Sequence, residues 1–398
     1  MKFIKYLLLF LLIYLDPILI GGFKWAQIWK IIILVILFFY FSINKYKYNK
    51  FVSIYFLLAI SSLINASIFE SFIGEFGIFI KNLILPFILV FWINSKSNLN
   101  NFIKDFSVFI ILSGIPFIFK LIPQLGGQYD LEIFGASLNI FSYTGLFQNP
   151  HAASIITAYA TIVCFNFFKK AQKKGEKYFM LIVLIIGLIL SVKTFVRTGL
   201  AMTIVGLLSN AIYGKSLTKI LKFSPLFIVI SVMLITYVSS NELLLNRLVG
   251  VNKYQTTMDI NTVSSGRLDI WESSLKSYTK NYNPIELFFG LGENLLKKRN
   301  KQDVGREFVT HNGFLDMLIT NGILGLIIYI LFVKKWYYSL KNKAKLINSK
   351  NIHVRISISI FFMYLTFMML QGGPLIYDSI FIAYSIITVS SNLKKTTT

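Results

Sequence analysis

Apolar runs long enough to cross a bilayer alternate with short polar breaks along nearly the whole chain. A helix spanning the hydrocarbon core needs roughly 20 mostly apolar residues, and by that criterion about twelve helices are expected. Their approximate cores are 3–20, 26–43, 51–69, 72–93, 106–122, 151–168, 178–195, 197–213, 223–239, 311–332, 354–372 and 375–391. Two breaks, at about 123–150 and 240–310, exceed ordinary linker length, and ordered loops of that size usually carry function. In the larger one, GRLDIWESSLKSY (Gly266 to Tyr278) sets Leu268, Trp271 and Leu275 on one helical face. Packing on the membrane surface is expected of that face, with Trp271 at interfacial depth. The pattern predicts an all-α polytopic membrane protein in which residues 1–398 form a single transmembrane domain and 240–310 an extracytoplasmic loop.

Composition agrees: 55% of the 398 residues are hydrophobic and 14% charged, with a mean hydropathy of +0.66. The net charge of +23 adds more, because its lysines lie in clusters between apolar spans. That is the signature of membrane orientation and argues against a nucleic-acid partner. One assignment puts Lys45, Lys47, Lys50, Lys96, Lys104, Lys169, Lys170, Lys173, Lys174, Lys177, Lys215, Lys219 and Lys222 inside. The cations from Lys334 to Arg355, and Lys394 and Lys395, join them there. The short outer connections hold Asp16, Glu70, Asp130, Glu132 and Asp378. Both termini are then cytoplasmic. Lys2 and Lys5 precede the first span without a small-residue cleavage site after it, so a retained helix is expected. The heavy use of Lys, Ile, Asn and Phe suggests an AT-rich bacterial genome; the expected location is the bacterial inner membrane. The single cysteine, Cys164, lies in an apolar stretch without a disulfide or zinc partner.

Three residues call for more than topology. His311 opens the run HNGFLDMLITNGILGLIIYILF, where a long loop meets a membrane helix, and its imidazole can take and release a proton near neutral pH. The structural alternative is a helix start with Asn312 as cap. Arg197 stands at the mouth of the eighth span, with Lys193 one turn earlier, and Arg267 stands in the large loop. Snorkelling would account for Arg197, and pairing with Asp269 or Glu272 for Arg267. The charge-derived topology nevertheless puts all three on the outer face. Two arginines there could hold a lipid pyrophosphate through charge-assisted hydrogen bonds and stabilise charge on its departure, while neutral His311 takes the proton of an incoming hydroxyl.

No metal ligand set is evident, nor any cofactor: Asp-x-Asp, HExxH, His/Cys clusters and glycine-rich nucleotide loops are all missing. Phosphate chemistry would then rest on the arginines. His151, after Pro150, is expected to open the sixth span, and His353 to be solvated in a cationic cytoplasmic loop. Glu75 and Lys81 in the fourth span face a polar cavity or each other.

Four segments, in order, carry a resemblance. GLFQNPHAAS (Gly145 to Ser154) is similar to a G-x-F-x-N-P-N motif, with His151 in place of the second asparagine. FVRTGLAM (Phe195 to Met202) is similar to S-R-T/S-x-L, with Val196 in place of the serine. SSGRLDIWESSLKSYTKNYNPIELFFGLG (Ser264 to Gly292) is similar to S-G-R-x-x-x-W…P-x-x-G-x-G, and the His311 run to H-N-x-x-L…G-x-x-G. Together they resemble the O-antigen polymerase and O-antigen ligase superfamily, which includes the Wzy-type polymerases. The resemblance implies a GT-C-like, metal-independent glycosyltransferase acting at the outer leaflet on a glycan carried by undecaprenyl pyrophosphate. His311 would be the base and Arg197 and Arg267 would hold the pyrophosphate, with Gln148, Asn149, Lys193 and Asn312 lining the substrate.

The expected activity is polymerisation of repeat units into O-antigen, capsule or exopolysaccharide. The expected partners are the lipid-linked donor and acceptor, the bilayer and a chain-length regulator. A ligase passing the glycan to a lipid or wall acceptor is the alternative. A lipid-linked oligosaccharide flippase is the rival of another class, though transporter-like internal repeats are not visible.

Overall fold

A computed structural model of the chain describes residues 99–125, 129–133, 136–140, 142–147, 149–212, 267–292, 301–302, 310–346, 351–372 and 379–390. It also describes residues 19–20, 23–24 and single positions at 28, 32, 35, 39, 54, 57 and 60. The expected spans 3–20, 26–43, 51–69, 72–93 and 223–239 lie outside the described residues except for those scattered positions, and Glu75, Lys81 and Gln148 lie outside them too.

The architecture is helical, as the hydropathy pattern predicts. Two short antiparallel hairpins accompany the helices. The first pairs β1 (Leu19–Ile20) with β2 (Phe23–Lys24), and the second β3 (Tyr129–Ile133) with β4 (Ala136–Ile140). The second occupies the 123–150 loop, where Tyr129, Leu131 and Ile133 alternate with Asp130 and Glu132, a period of two.

The helices are α1 (Leu99–Leu112), α2 (Ile115–Ile118), α3 (Pro150–Lys170), α4 (Lys174–Lys193) and α5 (Arg197–Ile212). Then come α6 (Arg267–Asn281), α7 (Pro284–Phe289), α8 (Gly313–Leu346), α9 (Ile352–Leu370) and α10 (Ser379–Ser390). Among the described residues, five segments are long and apolar enough to cross a membrane: Asn101–Ile118, Pro150–Lys170, Lys174–Lys193, Gly313–Ala344 and Ile352–Leu370. The protein is a multi-pass membrane protein. Two expectations shift. Lys334, Lys335, Lys341, Lys343 and Lys345 ride on α8 instead of occupying a loop. His353, expected in solvent, sits in the first turn of α9 with its ring nitrogen Nδ1 2.7 Å from the Tyr384 hydroxyl.

Helix α3 is the axis of the bundle, buried from Ala152 to Phe167. Its small residues let neighbouring backbones come close, the usual means of packing helices where lipid supplies no hydrophobic drive. A Cβ on Gly199 would lie 2.5 Å from that of Ser154, and one on Gly187 2.5 Å from the Thr161 hydroxyl. Gly206 touches Ile162 on one side and Met363 on the other. Several polar side chains inside the bundle bond to backbone, which suits a low-dielectric interior: Thr161 to Thr157 O at 2.7 Å and Ser385 to Ser357 O at 3.0 Å.

These contacts fix the direction of each helix. The pairs Ser154–Gly199 and Ile162–Gly206 run α3 parallel to α5, while Met363 beside Gly206 and Ser359 Oγ 3.2 Å from Ser209 Oγ run α9 antiparallel to both. Gly313 against Met368, and Trp336 against Phe361, set α8 antiparallel to α9. One end of the bundle therefore gathers the starts of α3, α5 and α8 with the ends of α4 and α9. The other end holds Lys104 on Glu176 at 2.6 Å and Lys169 on Asn210 at 3.3 Å.

Candidate functional site

His311 has a left-handed backbone, φ 55°, which costs a non-glycine residue about 1–3 kcal/mol and persists only where its surroundings over-determine it. Thr310 supplies that constraint. Its N–H and hydroxyl both donate to Asp316 Oδ1 at 2.7 Å, and its carbonyl accepts the Trp271 indole N–H at 2.8 Å. Asn312 holds the other side. Its N–H donates to the Thr310 hydroxyl at 3.2 Å, and its side-chain oxygen accepts the N–H groups of Phe314 and Leu315 at 3.1 and 3.2 Å. Asn312 thus caps α8, as the plain helix-start reading anticipated, and His311 is held clear of the cap. Asp316 and Thr310 gave no clear signal in sequence. Trp271, expected at the membrane surface, turns toward the histidine turn, leaving Leu268 and Leu275 exposed.

Arg267 begins α6 and donates through Nη1 to the carbonyl of Leu370 at the end of α9. That oxygen is one of the four that a helix C-terminus leaves without an intrahelical donor. Arg267 therefore closes α9, while the nearby Glu272 pairs with Lys276 at 2.5 Å. The same helix end closes on the histidine turn: a Cβ on Gly372 would collide with Gly313 N and fall 2.8 Å from the Asn312 carbonyl carbon. Arg267 and His311 are brought together this way. Burial first, then the Arg267 charge, hold the imidazole below its ordinary value of 6.5. At neutral pH the ring is uncharged and able to accept a proton.

Arg197 reaches the same end of the bundle by another route. Helix α4 ends at Lys193, whose carbonyl accepts the Tyr143 N–H at 2.8 Å. A sharp reversal through Phe195, φ 56°, then starts α5 at Arg197. Both Lys193 and Arg197 are half-buried. Gly199 on Ser154 fixes α5 beside the first turn of α3, where Asn149 and His151 lie. The Asn149 side-chain oxygen accepts the Ala152 N–H at 2.9 Å, so the N-P pair of the first motif is a helix cap and start. Upstream, Gln124 Oε1 takes the N–H groups of Thr144 and Gly145, the latter at 2.8 Å, pinning the entry to that motif. Gln124 was not anticipated.

The remaining motif glycines build a joint. Helix α8 breaks at Gly322, φ 65° and ψ −172°, freeing the carbonyls of the preceding turn. Leu291 N–H and Gly292 N–H donate to Ile319 O and Thr320 O at 3.1 and 2.9 Å. Gly290, φ 80°, lets the chain turn against this break, where a Cβ would collide with the Thr320 carbonyl. Helix α7 is held by a reciprocal cap between Asn283 and Glu286 and by Tyr278 OH on Leu287 O at 2.8 Å. A small core of Tyr278, Tyr282, Leu291 and Ile319 completes it. The P-x-x-G-x-G and G-x-x-G patterns are the two halves of one docking joint, and that joint carries α6, and so Arg267, to His311.

Fold and site together define a polytopic membrane protein with a histidine and arginines gathered at one end of its bundle. Residues 179–330, from α4 into α8, match the family model described as O-antigen ligase. That matched segment contains Arg197, Arg267 and His311. Over 282 residues the chain is also 27% identical to the ComP-specific O-oligosaccharyltransferase of Acinetobacter baylyi, an alignment covering 67% of this chain and 49% of that protein. The chain spans about half the length of the curated relative it matches.

Proposed function

We propose that this chain is a membrane glycosyltransferase that moves a glycan from undecaprenyl pyrophosphate to an acceptor hydroxyl, polymerising repeat units into a surface polysaccharide at the outer leaflet. The observation that carries the reading is His311, held in a left-handed turn by Thr310 and Asn312 and packed beside the helix end that Arg267 closes. His311 takes the proton of the acceptor hydroxyl as its oxygen attacks the anomeric carbon. The bond from that carbon to the pyrophosphate oxygen breaks, and the electron pair leaves with the lipid pyrophosphate. One displacement inverts the anomeric centre. Arg267, which donates through Nη1 to Leu370 O, would hold the phosphate oxygens through charge-assisted hydrogen bonds. Arg197 and Lys193 add positive charge from the far side of the same bundle end.

The lysine-rich opposite end of the bundle supports a cytoplasmic assignment for that face and an inner-membrane location. A twelve-span layout, GT-C-like and with 240–310 as an outer loop in a single transmembrane domain, is part of the same proposal. So are a donor-carrying bilayer and a chain-length regulator as partners.

En bloc transfer of finished glycan is a second reading, favoured by the family description and by the oligosaccharyltransferase among its relatives. Purified protein in vesicles with labelled lipid-linked repeat units separates the two. A ladder of increasing length marks polymerase, whereas labelling of a second acceptor without a ladder marks ligase. His311→Ala is expected to abolish either product. Unchanged product in that variant would remove His311 as the base, and lipid translocation without transfer by the unaltered protein would sink the enzyme assignment in favour of a flippase.

A further inference from the structure

Gln371 lies between two contacts of the site. On one side, the carbonyl of Leu370 accepts the Arg267 guanidinium. On the other, Gly372 packs against the backbone of Asn312 and Gly313, immediately after His311. The Gln371 backbone N–H is satisfied by Phe367 O at 2.8 Å, and Gly372 N–H by the same carbonyl at 3.0 Å. The side chain is different. Its Oε1 is buried and, among the described residues, accepts no hydrogen bond. A buried carbonyl left unmatched is destabilising, because it has lost water and gained nothing. Such groups are few in folded proteins and call for a reason. This one sits at the junction of the proton acceptor and the phosphate-binding arginine.

An amide oxygen is a pure acceptor with two lone pairs. It suits an O–H or N–H donor and repels phosphate oxygens, which Arg267 would take instead. We infer that Gln371 is a substrate-binding residue whose Oε1 accepts a hydrogen bond from a sugar hydroxyl held beside His311. The inference rests on the glycan-transfer reading and deepens it. The hydroxyl belongs either to the donor sugar, orienting its anomeric carbon, or to the acceptor, orienting the attacking oxygen. Selection follows from the chemistry. A site built to bond a hydroxyl rejects a deoxy analogue strongly, because the buried acceptor then goes unmatched.

The test is Gln371→Met, which keeps length and removes the strong acceptor. Full-length protein in vesicles is assayed with lipid-linked glycan at varied donor and acceptor concentrations. The thermal midpoint is expected to stay the same or rise, because an unmatched buried carbonyl has been removed. One KM is expected to rise about tenfold, the loss of one hydrogen bond: the acceptor's if the acceptor hydroxyl is bound, the donor's if the donor sugar is. Gln371→Asn, which keeps the amide but shortens its reach, should recover part of the loss. Unchanged KM for both substrates, or a lowered midpoint with kinetics unaltered, overturns the role. His311→Ala run in parallel separates the two levels. If it still transfers glycan, the reading of His311 as base has failed; if it is inactive and Gln371→Met is normal, only this inference has.

Discussion

At the scale of single residues, the site depends on what surrounds the His311 imidazole. Burial and one neighbouring guanidinium both disfavour the imidazolium, in that order. A base held below its ordinary 6.5 remains unprotonated further into acid, so transfer should be lost only as pH falls through the lowered value. Arg267→Gln removes the electrostatic share. Its acid limb should move up toward 6.5, and its rate should fall about 100-fold or more, as when one transition-state donor is deleted. A pH–rate profile of the two proteins checks this; coincident acid limbs would show that the guanidinium does not act on the ring. Thr310, Trp271 and Asp316 were not legible as part of the site, because their contributions are hydrogen bonds to backbone made across 39 and 6 residues of chain. Residue identity carries no trace of such a bond.

At the scale of elements, the same joint that breaks α8 also positions Arg267. Gly322→Ala tests it. The backbone there, φ 65° and ψ −172°, is open almost only to glycine and costs other residues about 1–3 kcal/mol. The added Cβ would also collide with Phe288 O. Helix α7 should lift from α8, and the amides of Leu291 and Gly292, which bond Ile319 and Thr320, should lose hydrogen-exchange protection. Protection left intact would mean the joint tolerates a side chain and does not hold α6. The motif glycines were visible in sequence, but their purpose was not. A positive φ and a backbone contact between segments 32 residues apart, Gly290 and Gly322, both depend on the folded partner. The helix caps were easier to read, since Asn149-Pro150 and Asn312 act on their own next turn.

At the scale of the whole molecule, parallel α3 and α5 and antiparallel α9 gather Arg197, Arg267 and His311 at one end and Lys104 and Lys169 at the other. If the lysine end is cytoplasmic, reporters inserted at 171–173 should be read from the cytoplasm, and tags at 282–283 from outside. Tags reading the same side would overturn the topology. Hydropathy belongs to each residue and its near neighbours, so the helical, multi-pass character and the candidate groups His311, Arg197 and Arg267 could be read from the chain as written. Distances between segments do not have that property. Whether Arg267 reaches α9, whether α8 breaks against α7, and where the Gln371 amide lies follow from glycine contacts and backbone hydrogen bonds that exist only once the helices have packed. The sequence therefore carried the membrane protein and its candidate groups, and packing alone brought Arg267 to the histidine.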